Sequence, residues 1–380
     1  MPRKSQTLQN NLKQIRSRAG LTQGELASRA GISRQAYSTL ESGNANPSTE
    51  VSLRLAQALN ERIESLFFLA EQPPASVQAE LVGGPLSEPT SGESPQRARL
   101  FRVGQKMLAR PLTVAGNTRH TVVAAEGLVT DRAEDGRVTV QPFDSDEIDS
   151  PTLVMLGCDP AVGLLESGLR SRGVALVAAE ESSRQALIGL ANGEAHVAGC
   201  HLLDDATGGY NSSWVLQLVP FPCTLVTFAV WQQGLILASG NPKQVSGVAD
   251  LANSGIQMVN RQAGSGSRDL LDRALAGAGL SGENLDGYQR EEWGHLAVAA
   301  AVASGSADAG IGVKAAALAM GLDFLPLEEE RYDLVVPNHF LSDGPVQVLL
   351  DLLRRPVLHR RVESLGGYDA SSMGVQASVN

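Results

Sequence analysis

The sequence predicts a multidomain chain: an all-α head, a small β-subdomain and a large α/β body built as two lobes. Three observations predict it. The first 70 residues are helical in period and basic in balance, with nine Lys/Arg against five Asp/Glu in a chain of net charge −10. Short apolar runs separated by glycine turns follow between residues 97 and 143. From Pro151 onward, short apolar runs alternate with helix-period segments, which is the pattern of βα units.

Composition sets the limits. At 380 residues, 43% hydrophobic and 19% charged, the chain is long enough for two or three packed domains. The acidic total argues against a protein that coats nucleic acid along its whole surface, and the basic head singles out one domain for that contact. Three cysteines, Cys158, Cys200 and Cys223, form no Cys-x-x-Cys pair, which fits a reducing compartment. The N-terminus runs straight into a polar helical pattern rather than a signal peptide, and no apolar run approaches the ~20 residues of a membrane span. The expectation is a cytoplasmic protein without a membrane partner.

In the head, Leu8, Leu12 and Ile15 have helical spacing, and Gly20 can end that helix. Thr22 with Glu25 reads as a capping box that starts a second helix. Gly31 makes a turn, Ser33 caps a third helix from Arg34 to Glu41, and Gly43 closes it. A fourth helix follows Pro47. Two short helices joined through a glycine turn make a helix-turn-helix, whose second helix enters the major groove. Thr22-Gln23, Leu26-Ala27, Gly31-Ile32-Ser33, Ser38, Glu41, Gly43 and Pro47 together closely resemble the phage-repressor/Cro-like (XRE) family over Thr7 to Leu69. Gly24 inside the second helix and Tyr37 in place of an aliphatic residue depart from that pattern. The resemblance implies that Arg34, Gln35 and Thr39 read bases and that Gln23, Ser38 and Asn44 contact phosphates, with Ser33 at the start of the same helix. The chemistry agrees, since Arg suits guanine and Gln suits adenine through paired hydrogen bonds.

Glu71 to Gln96 holds five prolines and three glycines and is expected to be a flexible linker. Leu100–Val103, Thr121–Val123, Gly127–Val129 and Val138–Val140 then read as strands, with turns at Gly104, Gly116-Asn117 and Asp135-Gly136. The expected divisions are 1–70 for the head, 71–96 for the linker, 97–147 for the β-subdomain, 148–374 for the body and 375–380 for a tail.

The body opens with strands at Leu153–Leu156, Val174–Ala178 and His196–Gly199. Its helices start at Asp159-Pro160 and at Ser182 or Ser183. A polar excursion from Asp204 to Ser213 returns through runs at Val215–Val219 and Leu225–Val230, both read as strands. A second βα series runs through Ile256–Val259, Ala297–Ala303, Ala309–Ile311 and Lys314–Met320, and then strands at Phe324–Leu327 and Tyr332–Val336. Two α/β lobes crossed more than once by the chain suggest a hinged clamp with a ligand site in its cleft.

The body is organised around Gly255–Leu271. An apolar run ends there, Gly264 and Gly266 follow, and Ser265 or Ser267 caps the next helix. Unpartnered first-turn amides and the positive end of the helix dipole favour an anion, with Arg261 and Arg268 at hand. The motif is neither a Walker loop nor the six-residue dinucleotide pattern, because Asp269 replaces its third glycine.

This stretch, with Asn241-Pro242, Asp250-Leu251, His295 with Ala297–Ala303, Ala307–Gly310, Leu325-Pro326-Leu327 and Glu330–Leu334, resembles a bacterial periplasmic-binding-protein-like domain. The branch it is most similar to is the molybdate-binding-like domain of intracellular regulators, over Ser150 to Met373. The resemblance implies a small effector, with a molybdate or tungstate type of oxyanion as one candidate and no other cofactor. Strand ends facing the cleft offer Arg261, Ser265, Gly266, Ser267 and Arg268 from the second lobe. The first lobe offers Cys158, Asp159, Ser182, Ser183 and His201, and the excursion offers Asn211. Asp159, as a helix cap, leaves room for a zwitterionic or amine ligand.

The resulting expectation is a one-component, ligand-responsive transcriptional regulator that binds double-stranded DNA as a homodimer or higher oligomer, and not an enzyme. Ser265, His295 and Asp308 can be written as a triad, but Gly-x-Ser-x-Gly is missing. The alternative is a redox- or metal-sensing regulator using Cys158, Cys200 and His201.

Overall fold

The computed structural model describes residues 8–69, 74–84, 96–112, 125–144, 148–204 and 207–379. It falls into two units, one up to Pro74 and one from Ala75.

The first unit holds the helices Leu12–Arg18, Gln23–Arg29, Arg34–Glu41 and Thr49–Leu59. Thr22 forms its capping box with Glu25, and the Ser33 and Ser48 hydroxyls accept from Ala36 N and Val51 N. Leu12, Leu26, Tyr37, Leu55 and Leu66 are buried together. The helical reading of Leu8 is corrected, because Leu8–Asn10 is a strand antiparallel to Phe67–Leu69. The reason lies in Asn10, whose side chain donates to Leu40 O and accepts from Leu12 N, a local bond that competes with helix. Glu41 ties three helices, accepting from Arg16 Nε (2.8 Å), Tyr37 OH (3.2 Å) and Gln23 Nε2. Burial opposes its ionisation, but the bonds from Arg16 and Gln23 outweigh burial and hold its carboxyl below the usual range.

The second unit opens with a closed five-stranded barrel of Val77–Leu81, Lys106–Pro111, Arg97–Val103, Gly127–Arg132 and Arg137–Pro142. Val77–Leu81 lies inside the stretch expected to be linker. Its alternation is carried by Ala79, its one fully buried residue, too small to stand out as a strand core. Lys106–Pro111 was likewise unmarked, and the expected strand Thr121–Val123 and turn Gly116-Asn117 lie outside the described residues. Val82, Phe101, Val103 and Leu108 of the barrel share one core with Val154, Leu156, Val177 and Leu187 of the body.

The body is a single ten-stranded sheet. On the first-lobe side, Thr152–Gly157 pairs in parallel with Ala175–Glu180 and Val197–Cys200. On the second-lobe side, Met258–Arg261 pairs in parallel with Ala309–Val313 and Glu291–Glu292. Joining them are two 15-residue antiparallel strands, Cys223–Leu237 and Asp323–Pro337, which run through both lobes. The two strands expected at Phe324–Leu327 and Tyr332–Val336 are therefore one, since Glu328–Arg331 pair with Val230–Gln233. Val215–Val219 is corrected from strand to the helix Ser212–Leu218, a short apolar run whose periodicity cannot separate the two. The expected tail includes a strand, Gln376–Val379, paired with Cys223–Val226.

Gly157 and Gly199 make room for Tyr332. A Cβ on either would fall on the Tyr332 hydroxyl, which is fixed at the end of a fully buried ring. Gly157→Ala is therefore expected to lower the denaturant midpoint by the equivalent of about 1–3 kcal/mol, with Tyr332→Phe restoring part of the loss. An unchanged midpoint in Gly157→Ala would contradict this packing.

Candidate functional site

The strand Met258–Arg261 delivers Arg261 to the middle of the body, where it is 0% exposed. Its Nε donates to Gln262 Oε1 at 2.9 Å, while Nη1 and Nη2 have no hydrogen-bond partner. Gly264, at φ +81°, turns the chain, and Ser265 caps the helix Gly266–Gly277 by accepting from Arg268 N at 3.3 Å. Ser267 follows, buried, with its hydroxyl unpartnered. His295 begins the helix His295–Ala303, also buried, and neither ring nitrogen has a partner. Burial, then Arg261 and His201, push its pKa well below the imidazole range, so the ring is neutral and offers one donor and one acceptor. A buried guanidinium with two bare amino groups is costly unless something anionic meets it.

The first lobe brings His201, whose backbone N–H donates to Ser183 Oγ at 3.2 Å. The ring lies between Glu330 Oε2 (Nδ1, 2.8 Å) and Cys158 Sγ (Nε2, 3.5 Å). Burial opposes its protonation, but Cys158 and Glu330 outweigh burial and raise its pKa to about 10. Glu330 also accepts from Gln233 Nε2 (2.6 Å) and Trp231 Nε1 (3.3 Å). The ring meets the second lobe at Gly266, where a Cβ would lie 2.6 Å from His201 Cε1. Asp159 accepts from Tyr368 OH (2.6 Å) and Ala161 N (2.8 Å), and its Oδ2 is unpartnered. Burial raises its pKa to about 6 against those two bonds. Trp231 packs among these groups, with ring centroids 5.0 Å from His201, 5.4 Å from His295 and 4.8 Å from Tyr332.

The expected residues thus divide. Arg261, Ser267, Gly266 and His201 face this junction. Ser265 and Ser182 cap helices, Ser182 accepting from Gln185 N. Ser183 holds the His201 backbone. Asn211 is a pin, accepting from Leu202 N and donating to Asp333, both at 2.7 Å. Arg268 turns away to Glu291 and stacks over Tyr288. Glu330, Gln233, Trp231, Tyr332 and Tyr368 were not among the candidate site residues, although Glu330 and Tyr332 lie in the motif Glu330–Leu334. Glu330 ends a run of three glutamates that reads as a solvated face, and only the pairing register turns it inward. The written triad is not assembled, since His295 bonds to neither partner and Asp308 accepts from Gln257 N. Cys158 does meet His201, but among the described residues no group of three His, Cys, Asp or Glu is arranged to hold a metal. Burial raises the pKa of the Cys200 thiol.

In the first unit, Arg34 and Gln35 form the exposed first turn of the third helix. No hydrogen bond or ion pair engages their side chains among the described residues. Ser38 and Thr39 are half-buried, and Thr39 Oγ1 donates to Gln35 O. Asn44 is exposed and donates to Ser42 Oγ, while Gln23 is bound to Glu41.

Residues 12–66 match the helix-turn-helix family, and residues 166–354 match the PBP superfamily domain. The uncharacterized protein YvgK of Bacillus subtilis (strain 168) is 33% identical over 195 residues, 51% of this chain and 63% of YvgK, so the chain spans less than two thirds of that relative. An uncharacterized protein encoded in the 5′ region of a ferredoxin 2Fe-2S gene of Clostridium pasteurianum is 40% identical over 106 residues, 28% of this chain and 94% of that protein. An uncharacterized HTH-type transcriptional regulator of Methanothermobacter thermautotrophicus is 44% identical over 61 residues, 16% of this chain and 88% of that protein. No helix among the described residues is long and apolar enough to cross a membrane. The chain thus carries an N-terminal helix-turn-helix domain, of the kind that HTH-type transcriptional regulators share, and a C-terminal PBP superfamily domain.

Proposed function

We propose that this chain is a one-component regulator whose head binds operator DNA within a dimer, and that a small oxyanion of the molybdate or tungstate type, held in the body, sets its affinity for DNA. The observation that carries this reading is the Arg261 guanidinium, fully buried with both Nη atoms bare. The neutral His295 ring is close enough to feel the Arg261 charge, and Ser267 offers a buried, unpartnered hydroxyl in the first turn of the helix Gly266–Gly277. In this reading Arg261, and not the paired Arg268, supplies the charge. His201 faces the same junction at Gly266, with its ring nitrogens held by Glu330 and Cys158. The unpartnered Asp159 Oδ2, on the His201 side, favours as the second reading an organic ligand with an ammonium group. A sensor built on Cys158, Cys200 and His201 has less support, since the thiols are buried and the Cys158–His201 pair has no third ligand among the described residues. Ligand binding changes DNA affinity by favouring one of two arrangements of the dimer, whose contact we place within residues 97–380.

Two predictions follow from these residues. Calorimetry of the full chain with molybdate, tungstate, sulfate and phosphate should give heat with at least one of them. Ser267→Ala should weaken that binding about ten- to a hundredfold, the equivalent of one charge-assisted bond. Absence of heat with all four, or normal binding by Ser267→Ala, would remove the oxyanion reading, and heat with a zwitterionic metabolite instead would move the proposal to the organic ligand. On DNA, Arg34→Ala should relax preference at one base position at a cost of about 1–3 kcal/mol, while Asn44→Ala should weaken all sequences alike. Equal losses on selected and random DNA for Arg34→Ala would contradict its base-reading role.

A further inference from the structure

Residues Glu180 to Arg184 join three parts of the second unit within five positions. Glu180 ends the edge strand of the first lobe, and its carboxylate is seated against Gly294, just before the second-lobe helix His295–Ala303. A Cβ at Gly294 would fall on that carboxylate. Glu181 faces the other way and pairs with Arg110 of the barrel at 3.0 Å, both side chains nearly buried at 12% and 10% exposed. Arg110 is itself wedged, since a Cβ at Gly83 would lie 2.7 Å from its guanidinium carbon. Ser183 holds the His201 backbone. Arg184 crosses to Asp269 on the second-lobe helix Gly266–Gly277 at 3.0 Å and stacks over Trp214. Arg184 borders a cavity of about 220 Å³, lined also by Trp214, Asp269, Arg273 and Glu330 among others.

Side chains held by different partners along one short segment share its backbone, so a backbone shift at one is passed to the others. Drawing Glu180 and Arg184 toward the second lobe pulls on the backbone that presents Glu181 to the barrel. We infer that residues 180–184 are a coupling element, which makes closure of the two lobes on each other and seating of the barrel on the first lobe a single linked event. The barrel precedes the body in the chain and follows the head, so this element stands between the proposed effector site and the part of the chain that leads to the DNA-binding helices. The inference takes its purpose from the proposed sensor role, but its test needs no effector.

The test is hydrogen exchange read by mass spectrometry on the full chain, comparing wild type, Arg184→Ala and Asp269→Ala. Both substitutions act on the lobe-to-lobe contact and touch nothing in the barrel. Coupling of ordinary strength should speed exchange in the barrel strand Lys106–Pro111 about fivefold or more in each variant. In return, Arg110→Ala should speed exchange at the start of the helix His295–Ala303. Faster exchange confined to the helices Ser183–Ala191 and Gly266–Gly277, with the barrel strand at the wild-type rate, would overturn the inference. That result would leave the oxyanion reading untouched, just as absence of oxyanion binding would leave this one standing.

Discussion

A charge taken out of water must be met by hydrogen bonds or by an opposite charge, and the middle of the body is built under that constraint. Glu330 meets it with three donors, from His201, Gln233 and Trp231. Asp159 meets it in part, through Tyr368 OH and Ala161 N, and becomes easier to protonate. Arg261 meets it least, with one bond to Gln262 and two bare amino groups. The two long antiparallel strands make this junction by bringing Trp231, Gln233, Glu330 and Tyr332 to the level where the lobes face each other. Gly157, Gly199 and Gly266 are then required, because each leaves room for an aromatic or imidazole ring that the junction needs.

The head answers a related constraint at smaller scale. Its helices are short, so packing and caps must hold them. Thr22, Ser33 and Ser48 supply the caps, and Glu41 links three helices through Arg16, Gln23 and Tyr37. Tyr37, which departs from the family's usual aliphatic residue, keeps its ring in the core and puts its hydroxyl on Glu41. With the scaffold fixed by these side chains, Arg34 and Gln35 are left exposed on the first turn of the third helix.

What could be read from the sequence followed from how local each signal is. Thr22 with Glu25, Gly31 and Ser33 specify their turns and caps within a few residues, so the head was legible almost entirely. Ser265 and Gly264 marked a helix start correctly, and Arg261 was drawn from the same stretch. Glu330 was not legible, because three consecutive glutamates look alike until a register assigns one of them inward. Leu8 misled because Asn10 interrupts the helix with its own side-chain bonds, and Val215–Val219 misled because a five-residue apolar run suits either helix or strand. Val77–Leu81 was hidden by flanking prolines and by a strand core no larger than Ala79. The choice between Arg261 and Arg268 was left open for a different reason: spacing shows that an arginine is near a helix start, not that Glu291 takes it.

The central claim is that an anion meeting Arg261 is felt by the DNA-binding head. The most direct measurement is the affinity of the full chain for DNA selected by the protein from a random pool, at constant ionic strength, with and without molybdate, tungstate, sulfate or phosphate. The account predicts that at least one of these shifts the affinity by about five- to 150-fold, the range of ordinary coupling energies, and that Arg261→Ala abolishes the shift while binding DNA itself. DNA affinity unmoved by saturating concentrations of all four, or a shift that persists in Arg261→Ala, would contradict it.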